Sequence, residues 1–154
     1  MMEALVISVD GACSGRRCAC AAVLMRNGRV IAESSRSLPE AGGYILAAEI
    51  AGVALAARLV EWCDENVTVI IETDNPDVPR VIEQGYRPLQ AHRIPPHPLD
   101  MAVEFARKYR VAFSLLPRNT TSGLRRAHRL ASHRLWARRR RLAKGRACGL
   151  GRRS

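Results

Sequence analysis

Ala4-Leu5-Val6-Ile7-Ser8-Val9-Asp10-Gly11 is a short β-prone run that ends on an acid and a glycine. That is the pattern of a strand followed by a turn. A second apolar run, Cys18 to Arg26, leads into Asn27-Gly28, and Arg29 to Ser35 resumes a strand-like pattern. Asn-Gly between two such runs predicts a hairpin, because both residues tolerate the positive φ of a type I′ turn. The chain therefore opens with three strands, at least two of them antiparallel.

Outward from that hairpin the pattern changes period. Pro39 to Gly43 breaks the chain, and Tyr44 to Trp62 is rich in Ala and Leu, with Gly52 its one breaker. This predicts a long, well-buried helix. Val67 to Glu72 is a strand ending at Thr73-Asp74-Asn75, and Pro76 to Gln84 is a short helix with Gly85 past its end. Residues 86–98, with four prolines, read as a loop; Leu99 to Tyr109 has helical periodicity, and Val111 to Leu116 is a fifth strand stopped by Pro117. Nothing breaks a helix from Leu124 to about Lys144, while Gly145 to Ser154 holds three glycines and reads as a mobile end. The order is β-β-β-α-β-α-α-β-α: an α/β domain with a mixed five-stranded sheet, helices flanking it, and an Arg-rich C-terminal helix.

At 154 residues and 17.0 kDa, with 47% hydrophobic residues, the chain can build one core. Aromatics are only 5%, so Ala, Val, Leu and Ile must fill it. No apolar run approaches the roughly 18 residues of a membrane span, and the apolar stretch after Glu3 is too short for a signal peptide. A soluble, cytoplasmic monomer is expected. Five cysteines without framework spacing read as reduced and structural, with Cys18 and Cys20 on one side of a strand.

The net charge of +11 belongs to one end. Residues 1–117 hold 12 Arg and Lys against all 14 Asp and Glu; residues 118–154 hold 13 Arg and Lys and no acid. Such asymmetry points to a polyanionic partner, nucleic acid, and the 23 arginines suit bidentate phosphate contacts. The terminal helix has an imperfect apolar stripe, Leu130, Leu135, Trp136 and Leu142, with Trp136 expected as a core anchor. Arg125, Arg126, Arg129, Arg134 and the run Arg138 to Arg141 cover the remainder. His92 and His97 read as exposed loop residues, and His133 as a surface or phosphate contact off the His128 face.

Asp10 and Asp74 each stand at or just past the end of a strand, where sites assemble in open α/β sheets. Glu49 is a lone acid within Leu46-Ala47-Ala48-Glu49-Ile50-Ala51, and an unpaired buried charge is costly. Spacing alone leaves two readings. Either the aspartates cap turns and the glutamate reaches solvent, or the three carboxylates converge on divalent cations.

The element order resembles the ribonuclease H fold. Asp10-Gly11-Ala12 is similar to that family's first acid motif, Ala48-Glu49 to its helix glutamate, and Thr73-Asp74-Asn75 to its second aspartate motif. Ala127-His128-Arg129-Leu130-Ala131 resembles the closing motif in the His form of the reverse-transcriptase-like branch. The resemblance covers residues 4–135 and places a ribonuclease H-like domain at 1–136, with a basic extension at 137–154. It implies that Asp10, Glu49, Asp74 and His128 form the catalytic, metal-binding set, holding two Mg2+ or Mn2+ ions, with His128 favouring manganese. The implied activity is hydrolysis of the RNA strand of RNA–DNA hybrids by two-metal in-line displacement, leaving a 5′-phosphate. Gly11, Ala12, Asn75, Arg118, Asn119, Arg125, Arg126, Arg129, Arg138 and Arg139 are the expected nucleic-acid contacts. Tyr44-Ile45-Leu46-Ala47 stands where relatives often place Asn, and the loop Arg118 to Gly123 lacks their His. A weakly active or non-catalytic nucleic-acid-binding module on the same fold is the alternative those departures leave open.

Overall fold

A computed structural model describes residues 4–149 apart from 62, 64 and 65, with side chains through Ala137. Three strands, β1 (Ala4–Ser14), β2 (Arg17–Arg26) and β3 (Arg29–Ser37), form an antiparallel meander. Asn27 (φ 51°) and Gly28 (φ 74°) form the turn between β2 and β3, both left-handed as a type I′ hairpin requires. β4 (Thr68–Thr73) pairs parallel to β1, and β5 (Ala112–Leu115) parallel to β4, so the sheet order is β3-β2-β1-β4-β5. The helices are α1 (Ile45–Val60), α2 (Asp77–Gln84), α3 (Pro96–Lys108) and α4 (Ser122–Gly149).

Strand alternation divides the core between the two faces of the sheet. Leu5, Ile7 and Val9 of β1, Cys20, Ala22 and Leu24 of β2, and Val69 and Ile71 of β4 join α1 in the main cluster. On the other face Ala21 and Val23 meet Ala127 and Ala131 of α4, with Ala12, Met25 and Leu130 packed around them. The stripe that docks α4 is thus Leu124, Ala127, Ala131 and Leu135, all buried. Small residues let the helix lie close to the strands. Trp136, expected as the anchor, is 40% exposed, while its neighbour Leu135 is buried.

Four further expectations are corrected. β1 does not stop at Asp10-Gly11: it continues to Ser14, because Asp10 to Ser14 all pair with β2, and the turn falls at Gly15-Arg16. The Pro-rich stretch is not loop throughout, since Ala91–Arg93 is a 3-10 turn and Pro96 opens α3, where a missing N–H costs nothing. α4 continues past Lys144 to Gly149. Cys13 and Cys18 are not reduced: they are directly opposed across the β1–β2 ladder, 4.1 Å apart at Cα, and joined by a disulfide. Cys20 and Cys63 are free thiols, and burial pushes the Cys20 thiol up to about 12, an unreactive core residue. Among the described residues no helix is long and apolar enough to cross a membrane.

Candidate metal centre

The parallel ladder between β1 and β4 ends at the pair Ser8 and Glu72. Two residues further along the chain stand Asp10, inside β1, and Asp74, one residue past the end of β4. Both lie the same distance past the last rung, so their carboxylates come to one opening. Glu49 arrives from α1. That helix can approach β1 closely because position 11 is glycine: a Cβ there would lie 2.8 Å from Glu49 N and 2.9 Å from Ala48. One ligand atom from each of Asp10, Glu49 and Asp74 lies within 4.8 Å of the others. The turn-capping alternative for Asp10 is thereby excluded, since it sits inside β1.

The site is electrostatically uncomfortable as a set of bare acids. Asp10 is 7% exposed and Glu49 4%. Burial raises the Asp10 pKa above its ordinary range; its hydrogen bond to His128 works against that, and Asp74 adds to it. Glu49 is raised well above the usual carboxylate range, first by burial and then by the charges of Asp10 and Asp74. Among the described residues Glu49 Oε2 is buried with no hydrogen-bond partner. An orphaned carboxylate oxygen facing two further carboxylates fits a hard divalent cation, which takes oxygen ligands.

His128, on α4, reaches the cluster through Asp10: Nδ1 lies 2.9 Å from Oδ2. It neighbours Ala127, whose burial against the sheet sets the direction of the ring. His133 is exposed, as are His92 in the 3-10 turn and His97 in the first turn of α3.

The expected nucleic-acid contacts fall into distinct groups. Gly11 is buried under α1, and Ala12 packs toward α4. The Asn75 side-chain oxygen accepts the Asp77 amide at 2.9 Å, capping the start of α2. Arg118, Asn119, Arg125 and Arg129 are exposed on the loop and helix next to the site. Arg125 Nη1 donates to Asn119 O at 3.2 Å, fastening that loop. Arg126 makes a bidentate pair with Glu33 of β3, Nη2 to Oε1 at 3.0 Å, so its charge is answered within the fold. The side chains of Arg138 and Arg139 lie outside the described residues.

Two features escaped the sequence reading. Arg93 donates to Gly42 O at 2.9 Å and stacks on the Tyr44 ring at 5.1 Å, bracing the start of α1. Ser8, Glu72 and Thr121 form a hydrogen-bonded cluster beneath the site. A serine inside an apolar strand was the available signal for the second; nothing local marked the first.

No protein-family model and no curated protein matches the chain. Solved structures do. Ribonuclease H1 from the halophilic archaeon Halobacterium salinarum NRC-1 superposes with a TM-score of 0.69 at 19% identity, covering 86% of this chain and 97% of that one. The N-terminal ribonuclease H domain of a Mycobacterium tuberculosis protein gives 0.70 at 19%, covering 88% and 95%. LC11-RNase H1, solved in complex with an RNA/DNA hybrid, gives 0.66 at 17%, covering 85% and 96%. With the strand order, the parallel and antiparallel pairs and the flanking helices all in agreement, the chain has the ribonuclease H-like fold.

Proposed function

We propose that this protein is a metal-dependent endoribonuclease that hydrolyses the RNA strand of RNA–DNA hybrids. The observation that carries the reading is the convergence of Asp10, Glu49 and Asp74 within 4.8 Å, with Glu49 Oε2 buried and unpartnered. Those three residues would hold two Mg2+ or Mn2+ ions, with His128 completing the site beside Asp10. When bound, the cations supply water activation and charge neutralisation at the departing 3′ oxygen. The chain's own contribution is positional. β1 holds Asp10 within a paired strand, β4 places Asp74 just past its end, α1 presents Glu49 from the opposite face, and His128 holds Asp10 at one oxygen.

The exposed Arg118, Arg125 and Arg129 supply cationic groups on the same side of the sheet as Asp10, and the basic extension at 137–154 adds non-specific phosphate affinity. The complex of LC11-RNase H1 with a hybrid supports the choice of substrate. The test is cleavage of end-labelled hybrid, duplex RNA and duplex DNA side by side with Mg2+ or Mn2+. Hybrid alone is expected to be cut, leaving 5′-phosphates, with activity abolished in Asp10→Asn and Asp74→Asn. Salt-sensitive binding that ignores metal and yields no nicked strand would instead establish the binding module.

A further inference from the structure

Ser8 and Glu72 are two of the polar side chains of the sheet that face α4, and they meet at its first turn. Ser8 in β1 is fully buried, and Glu72 in β4 is its partner in the parallel register. Ser8 Oγ donates to Glu72 Oε1 at 2.7 Å, and the Thr121 hydroxyl donates to the same oxygen at 3.0 Å. Thr121 in turn accepts the Leu124 amide at 3.1 Å, which makes it the N-terminal cap of α4. Gly123 completes the seat: a Cβ there would lie 2.2 Å from Ser8 Oγ, so the helix backbone rests directly on the Ser8 side chain.

The location matters more than the bonds. Ser8 and Glu72 are the last rung before β1 and β4 diverge toward Asp10 and Asp74. His128 lies seven residues after Thr121 on α4, about two turns along the same face. A carboxylate placed two residues from Asp74 adds negative charge beside three acids that already repel one another. An apolar pair at positions 8 and 72 would fill the seam without that cost. What the carboxylate supplies is a single acceptor that ties both central strands to the first turn of the helix.

We propose that Glu72 is a positioning residue: by accepting from both Ser8 and Thr121 it registers α4 on the β1–β4 seam and thereby sets His128 against Asp10. The role rests on the nuclease reading only in that the His128–Asp10 contact belongs to the reacting centre.

The test uses the full chain without metal and reads the ring 15N resonances of His128 together with amide exchange at Leu124 to His128. Glu72→Val and Thr121→Val are expected to shift the His128 resonances and to speed exchange of those amides by about tenfold or more. Glu72→Gln keeps the acceptor and Thr121→Ser the hydroxyl, and both should match the wild type. With hybrid and Mn2+, Glu72→Val should lower kcat about tenfold with KM within about twofold, and Glu72→Gln should restore it. Should Glu72→Val fail to fold, Thr121→Val decides. Unchanged His128 resonances in the folded Val variants, or Glu72→Gln as disruptive as Glu72→Val, would overturn the proposal. If the wild type cuts no hybrid, the nuclease reading falls, and the ring resonances alone judge the clamp.

Discussion

A methyl group at position 11 would meet the backbone of Ala48 and Glu49 at 2.8–2.9 Å, a clash that no rotamer change relieves. Gly11→Ala should therefore cost about 1–3 kcal/mol in denaturant unfolding and weaken metal binding, because α1 must retreat and take Glu49 with it. The buried acids give a pH signature of defined sign. Asp10 and Glu49 have folded-state pKa values raised above their ordinary 3.8 and 4.5, so between those values and the raised ones the folded chain holds more protons than the unfolded. The stability they contribute is complete below the ordinary range and is lost as pH rises through the raised values. In chelator the melting temperature of the wild type should fall over that window, the fall should be smaller in Glu49→Gln, and added Mn2+ should reverse it. At this scale the sequence was informative where chemistry is unusual for its surroundings: an acid closing an apolar run, a lone glutamate in an apolar helix. Ser8 inside an apolar strand was a signal without a partner, because pairing it with Glu72 depends on a parallel register between residues 64 positions apart.

α4 shows what is lost between residues and elements. Its existence followed from the uninterrupted run after Gly123, yet its buried stripe runs through Ala127 and Ala131 instead of Trp136. Alanine gives little hydrophobic signal, and only the closeness of helix to sheet reveals it as core. Ala131→Leu should accordingly destabilise the protein by about 1–3 kcal/mol through overpacking, measured by urea unfolding. Strand ends were misread for a related reason. Gly11 looked like a turn residue, but it is glycine for the sake of the helix above it, and β1 runs on to Ser14. That extra length opposes Cys13 to Cys18, and reducing their disulfide should lower stability by about 2 kcal/mol, an effect absent in a Cys13→Ser, Cys18→Ser double variant.

Over the whole molecule the topology was legible because it depends on period changes and turn residues, which survive where identity to solved structures of the same fold is 12–19%. The charge distribution was legible for a simpler reason: all 14 acids precede residue 118. Deleting residues 137–154 should weaken hybrid binding and flatten its dependence on salt. Each phosphate that the shortened chain leaves unneutralised takes about 0.9 from the slope of log K against log salt on duplex DNA. On the proposed reading, both the fold and the tail serve a centre in which Asp10, Glu49 and Asp74 hold cations. Mn2+ titration of the metal-free protein by calorimetry tests that most directly. Saturable binding should appear in the wild type and weaken at least tenfold in Asp10→Asn, Glu49→Gln and Asp74→Asn. Equal Mn2+ affinity in all four folded proteins would contradict the account.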